Sequence, residues 1–185
     1  MEKEVKKRGR PKSSQLSKER ILDTAKQLMK ATGTIPSIRK LASELDVDAM
    51  AIYHYFKNKN VLLEAITISL VDGIYEPQDN QNWIEELKSL CRSYVSLLDT
   101  YSGLLQTLLT MKSTGPAEVF ITRFERIIQP LSLDKGEQQA ALELLVDYLH
   151  GFALALNCNS DREQLNVNRL GGILDFYCRS LSKLL

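Results

Sequence analysis

Apolar residues recur at helical spacing along most of this 185-residue chain. In residues 17–31, Ile21, Ala25, Leu28 and Met29 form one stripe that stops near Gly33. A shorter stripe, Ile38, Leu41, Ala42 and Leu45, follows Ser37. Residues 59–75 are apolar on several sides through Val61, Leu62, Ile66, Leu70, Val71 and Ile74. That pattern predicts a connector helix buried between two units. Pro77 and the polar run 78–82 then break the chain. Beyond the break, residues 83–101 place Ile84, Leu87, Cys91, Tyr94, Leu98 and Tyr101 on one face. A short helix is expected over 103–112. Another opens at Gly115-Pro116, carries Phe120, Phe124, Ile127 and Ile128 inward, and ends by Pro130. Two long amphipathic helices, 134–157 and 166–185, complete the pattern, the last striped by Leu170, Ile173, Leu174, Tyr177, Leu181 and Leu184. Neither a strand-and-turn signature nor an internal repeat is present, so the prediction is an all-α fold.

Residues 37–59 carry the sharpest local signals. Ser37 is an N-cap residue directly after Pro36. Asp46 falls where the chain must turn, and a short polar side chain supports a left-handed conformation there. Asp48 is placed to cap a second helix in which Ala49, Ile52 and Phe56 face inward. Met50, Ala51, Tyr53 and His54 are left to face outward. Two short helices joined by a tight turn, the second ending in aromatic and basic residues, make a helix-turn-helix unit. Small residues near the start of its second helix suit close approach to base edges, while Tyr53, His54, Lys57 and Lys59 suit phosphate oxygens.

With these residues in view, residues 17–74 resemble the N-terminal domain of tetracycline-repressor (TetR) family regulators. The matching positions are Ile21-Leu22-x-x-Ala25, Leu28, Gly33, Ser37-x-x-x-Leu41-Ala42, Val47, Ile52-Tyr53-x-Tyr55-Phe56-x-Asn58-Lys59 and Leu62-Leu63. Asp46 stands where the family usually has Gly, and Asp48 where it usually has a Ser or Thr cap. The resemblance implies DNA contacts for Arg39, Met50, Ala51, Tyr53, His54 and Lys59, with Tyr53 and Lys59 on phosphates. It also implies a C-terminal helical domain that binds a small molecule and pairs with a second copy in a four-helix bundle. Such a homodimer would present two recognition helices about 34–36 Å apart to a palindromic operator.

Charge layout sharpens this reading. Residues 1–60 hold 14 Lys/Arg against 7 Asp/Glu, and residues 61–185 hold 10 against 16, so the net +1 hides a basic head on an acidic body. A basic head can track phosphates and makes binding salt-dependent. Residues 1–16 form a basic arm without apolar periodicity, and the sequence predicts disorder there. Its Arg8-Gly9-Arg10-Pro11 core is similar to the AT-hook, which lies in the narrow minor groove of A·T-rich DNA. A nonspecific basic tail explains the same residues equally well. The expected division is therefore a basic arm at 1–16, a DNA-binding domain at 17–60, and a ligand-binding and dimerisation domain at 61–185 that opens with the connector at 61–75.

The expected DNA-contacting set is Arg8, Arg10, Ser37, Arg39, Ala49, Met50, Ala51, Tyr53, His54, Lys57 and Lys59. For an effector pocket the candidates are Tyr94, Tyr101, Met111, Phe120, Phe124, Tyr148 and Phe152, although aromatics on inner stripes are more often plain core. His150 can serve a ligand, a buried partner or the dimer seam. It has no ligand-spaced carboxylate or thiol beside it, so neither a metal nor a cofactor is expected. Gly-rich phosphate loops, a nucleophile elbow and HExxH are absent, which excludes the common enzyme classes. Cys91, Cys158 and Cys178 lack CxxC spacing and read as reduced, mostly buried thiols of a cytoplasmic protein. No signal peptide is evident. The densest apolar stretch, 140–156, is interrupted by Glu143, Asp147 and His150, so no membrane span is expected. The predicted function is a sequence-specific, ligand-relieved repressor. The alternative is an architectural binder of A·T-rich DNA without small-molecule control.

Overall fold

The computed structural model describes residues 16–78 and 82–183. Arg8 and Arg10, with the rest of residues 1–15, lie outside the described residues, as does Leu184. Every regular element among the described residues is helical: α1 (Lys18–Thr32), α2 (Ile38–Leu45), α3 (Ala49–Tyr53), α4 (Lys59–Val71), α5 (Trp83–Thr100), α6 (Leu104–Thr110), α7 (Gly115–Ile128), α8 (Lys135–Cys158) and α9 (Leu170–Ser182). Short 3-10 turns, Gln129–Leu131 and Val167–Arg169, precede α8 and α9.

Local chemistry sets the boundaries. Ser17 accepts from the Arg20 amide to start α1, and Gly33, at φ 70°, ends it in the left-handed conformation that a Cβ disfavours. The capping box of α8 is complete: Asp134 accepts from the Glu137 amide at 2.8 Å while Glu137 accepts from the Asp134 amide at 2.9 Å. Two boundaries differ from the sequence expectation. The connector helix stops at Val71 rather than 75, because Asp72 and Gly73 turn the chain there and their amides bond back to Ile68 and Leu70. The last helix begins at Leu170, after a 3-10 turn capped by Asn166, which the apolar stripe does not register.

In the head, Ile21, Ala25 and Met29 of α1 pack with Leu41, Ala42 and Leu45 of α2 and with Ile52 and Phe56. Tyr55 donates its hydroxyl to the Leu16 carbonyl at 2.5 Å and fastens the end of α3 to the start of α1. In the body, α5 lies against α7, α8 and α9, with Leu87, Leu90, Leu98, Leu104 and Phe124 sealed from solvent. Helix α4 packs on both α1 and α7, so it belongs to both units. Its far end is clamped. Arg123 of α7 pairs with Glu76 at 2.7 Å and donates to the carbonyls of Asp72 and Ile74. Arg126 pairs with the same Glu76 at 2.9 Å.

Cys91 and Cys178 are buried, whereas Cys158 is exposed at the end of α8, against the expectation of buried thiols for that residue. Burial raises both buried thiols, Cys178 to about 11, so they stay protonated. By length and composition alone helix α8 is long and apolar enough to cross a membrane, a test that a core helix of a soluble protein also passes. Only 33% of its most apolar window is buried within this chain. Leu144 and Leu154 stand exposed, and Ile173 and Phe176 of α9 extend the same apolar strip.

Candidate nucleic-acid interface and adjoining cavity

The α2–turn–α3 unit is built from three short polar side chains. Ser37 accepts from the Lys40 amide at 3.2 Å. Asp46 takes the left-handed turn conformation, φ 54° and ψ 48°, and its amide bonds back to the last carbonyls of α2. Asp48 accepts from the Met50 amide at 2.7 Å, so its carboxylate is turned onto its own helix. Ile52 and Phe56 are sunk into the head core and orient the helix about its axis. Met50 is consequently 65% exposed and Tyr53 39% exposed on the opposite side, with His54, Lys57 and Lys59 also exposed. Ala49 and Ala51 are half-buried, while Arg39 is exposed on α2. The expected set at positions 37–59 thus gathers around one short helix. Asn58, a family-matching position in the sequence without an assigned role, accepts from the Val61 amide at 3.0 Å and starts α4 beside it.

The body holds a cavity of about 310 Å³ between α5, α6, α7 and α8. Leu108, Leu109, Pro116, Ala117, Ile121, Leu142 and Val146 supply apolar walls, and the Tyr94 and Phe120 rings, 4.8 Å apart at 48°, supply an aromatic one. Polar groups on the lining are few. The Tyr94 hydroxyl and His150 Nε2 lie 2.9 Å apart in a hydrogen bond, and Ser113, Glu143 and Asp147 sit on other parts of the wall. Burial holds the His150 pKa below its ordinary 6.5, with nearby Asp147 opposing, and burial pushes the Tyr94 hydroxyl up. Both groups are therefore neutral at neutral pH.

The other pocket candidates fall elsewhere. Phe124 is sealed in the core. Tyr148 and Phe152 stack 6.1 Å apart, and Tyr148 borders a separate apolar groove of about 360 Å³ between α8 and α9. Met111 lines a more polar groove shared by the start of α4 and residues 110–113. Tyr101 is half-buried at the end of α5. Sequence reasoning did not single out Glu143, Asp147 or Ser113 for this site. The first two were visible only as interruptions of an apolar stretch.

Head and cavity are joined by two contacts that no sequence pattern reveals. Ser113, on the cavity wall, donates a short hydrogen bond to Glu64 of α4. The α5–α6 turn meets the end of α1 backbone to backbone: a Cβ at Gly103 would stand 2.1 Å from the Gly33 carbonyl oxygen.

Comparison with known proteins bears on both units. The model of bacterial regulatory proteins of the tetR family matches residues 21–66, and the tetracycline-repressor-like C-terminal domain matches residues 76–170. The chain is 25% identical to the HTH-type transcriptional repressor DrrR1 of Streptomyces coeruleorubidus over 86% of its own length and 59% of that protein's. It thus spans well under two thirds of that curated relative. Among solved structures, ActR of Streptomyces coelicolor in complex with actinorhodin superposes with a TM-score of 0.75 at 20% identity, covering 91% of this chain and 96% of that one. BioQ with its double-stranded DNA operator gives 0.70 at 22% identity, covering 91% and 99%. These likenesses establish the fold from α1 through the body. Because the two family models together take in the helix-turn-helix unit and most of the cavity-bearing body, the chain belongs to the tetR family of bacterial regulatory proteins.

Proposed function

We propose that this chain is a sequence-specific DNA-binding repressor of transcription that acts as a homodimer and is released from its operator by a small molecule. The observation that carries the reading is the α2–turn–α3 unit, whose inward Ile52 and Phe56 turn Met50, Tyr53 and His54 outward together. In this reading Arg39, Met50 and Ala51 meet base edges in the major groove. Ser37, Tyr53, His54, Lys57 and Lys59 hold phosphates on either side, and Ala49 keeps the helix start slim enough to enter. Arg8 and Arg10 add affinity along the neighbouring minor groove. A chromosomal operator as target places this work in the cytoplasm.

The dimer follows from what the single chain leaves uncovered. Leu144, Leu154, Ile173 and Phe176 form an exposed apolar strip on α8 and α9. Next to them Gly151 and Gly172 have open space where a Cβ would lie, which suits close helix approach. A second copy laid on this strip by a two-fold axis gives a self-complementary interface and a palindromic operator to match. The relatives, a transcriptional repressor, a protein solved with its DNA operator and one solved with actinorhodin, support the same division of labour.

Release follows from the joint between head and cavity. The Arg123 clamp holds the far end of α4, while its near end carries the head and meets the cavity wall through Glu64 and Ser113. A ligand that displaces residues 108–113 swings α4 about the clamped end and changes the spacing of the two heads. A coupling of about 1–3 kcal/mol makes a useful switch. Selecting duplexes from a random pool tests the reading: it predicts recovery of near-palindromic sites, whereas recovery of A·T-rich DNA without a shared half-site supports the architectural alternative.

A further inference from the structure

We propose that the cavity between α5, α6, α7 and α8 selects apolar molecules carrying a positive charge, an aromatic or aliphatic amine or quaternary ammonium. This rests on the cavity being the effector site, and it deepens that reading by naming the chemistry of the ligand.

The argument is one of charge and lining. Two carboxylates, Glu143 and Asp147, lie one helical turn apart on α8, and both border the cavity. No Lys or Arg is among the lining residues, and Lys112 borders the adjoining groove instead. Glu143 accepts a hydrogen bond from Gln139 at 2.7 Å, but among the described residues neither carboxylate has an ion-pair partner. His150, the other titratable group on this face of α8, is neutral at neutral pH and is occupied with Tyr94. The lining also includes the tilted Tyr94–Phe120 pair, and aromatic faces attract a cation and repel an anion. An anionic ligand would meet two negative charges and no cation on the lining. A neutral ligand would leave both carboxylates unused. A cation with an apolar body satisfies every part of the lining at once.

The test is titration calorimetry of the full chain, without DNA, using three probes that share one tail: trimethyl(4-phenylbutyl)ammonium, 4-phenylbutanol and 4-phenylbutanesulfonate. The proposal expects the ammonium to bind more tightly than the alcohol, and the sulfonate to be rejected. Asp147→Asn and Glu143→Gln, both at exposed positions where the fold has no stake, should each weaken the ammonium about three- to tenfold and leave the alcohol unchanged. Binding of the sulfonate as tight as that of the ammonium, equal affinities for wild type and both variants, or no heat from the ammonium each overturn the proposal. DNA binding measured on the same samples reports separately on the regulator reading. A chain that binds the ammonium but no duplex would contradict that reading while leaving the ligand chemistry standing.

Discussion

Asp48 shows how a single residue can make a recognition helix without joining the recognition. Its carboxylate accepts from the Met50 amide, so a negative group that would repel phosphates is spent on its own helix. Asp48→Ala should cost about 1 kcal/mol of stability, read as a lower unfolding midpoint in denaturant. The exposed cations nearby divide by role. Arg39→Ala should flatten the preference for the selected operator over a scrambled duplex. Lys59→Ala should weaken both duplexes alike and reduce the salt slope by about 1. Titrating both duplexes across salt checks the pair, and exchanged patterns would reverse the assignment. Gly103 is a residue of another kind. Because a Cβ there would press on the Gly33 carbonyl, Gly103→Ala must push head and body apart. A destabilisation of about 1–3 kcal/mol is expected, measurable by thermal unfolding.

At the scale of the helix, α8 carries the most varied duties. One face seals the core through Leu142, Leu145, Leu149 and Ala153, a second borders the cavity, and a third stays apolar and exposed. His150 ties the cavity face to α5 through Tyr94. Because its folded pKa lies below the unfolded value of about 6.5, the unfolded chain binds the extra proton more readily. Stability from this group is complete above about pH 6.5 and falls as the pH drops toward the folded pKa. Thermal unfolding between pH 7.5 and 5.5 should show that fall in the wild type and a smaller one in His150→Gln. The elements themselves were legible in the sequence wherever a cap met an apolar stripe, as at Ser37 and Asp48. The helix-turn-helix unit was equally legible because its residues are neighbours in the chain. The cavity was not. Its lining comes from four helices, and inward aromatics such as Phe124 and Tyr94 follow the same periodicity although one is core and the other borders the cavity. Glu143 and Asp147 were read as breaks in an apolar run, when the break itself marks a face with different surroundings.

For the molecule as a whole, the apolar strip on α8 and α9 and the outward face of α3 imply one assembly. Substituting Leu144→Asp together with Phe176→Asp should give folded single chains in sedimentation while removing the gain from a second half-site, since neither residue is buried in this chain. The clamp of Arg123 and Arg126 on Glu76 fixes one end of α4, which makes it the pivot of the proposed swing. The claim on which these statements depend is that paired heads read one duplex. Footprinting the full chain on a selected near-palindromic duplex tests it most directly. Two protected half-sites centred about 10 bp apart, or a multiple of that, and lost together in Tyr53→Ala, are predicted. A single protected half-site, or protection unchanged by Tyr53→Ala and Met50→Ala, would contradict it.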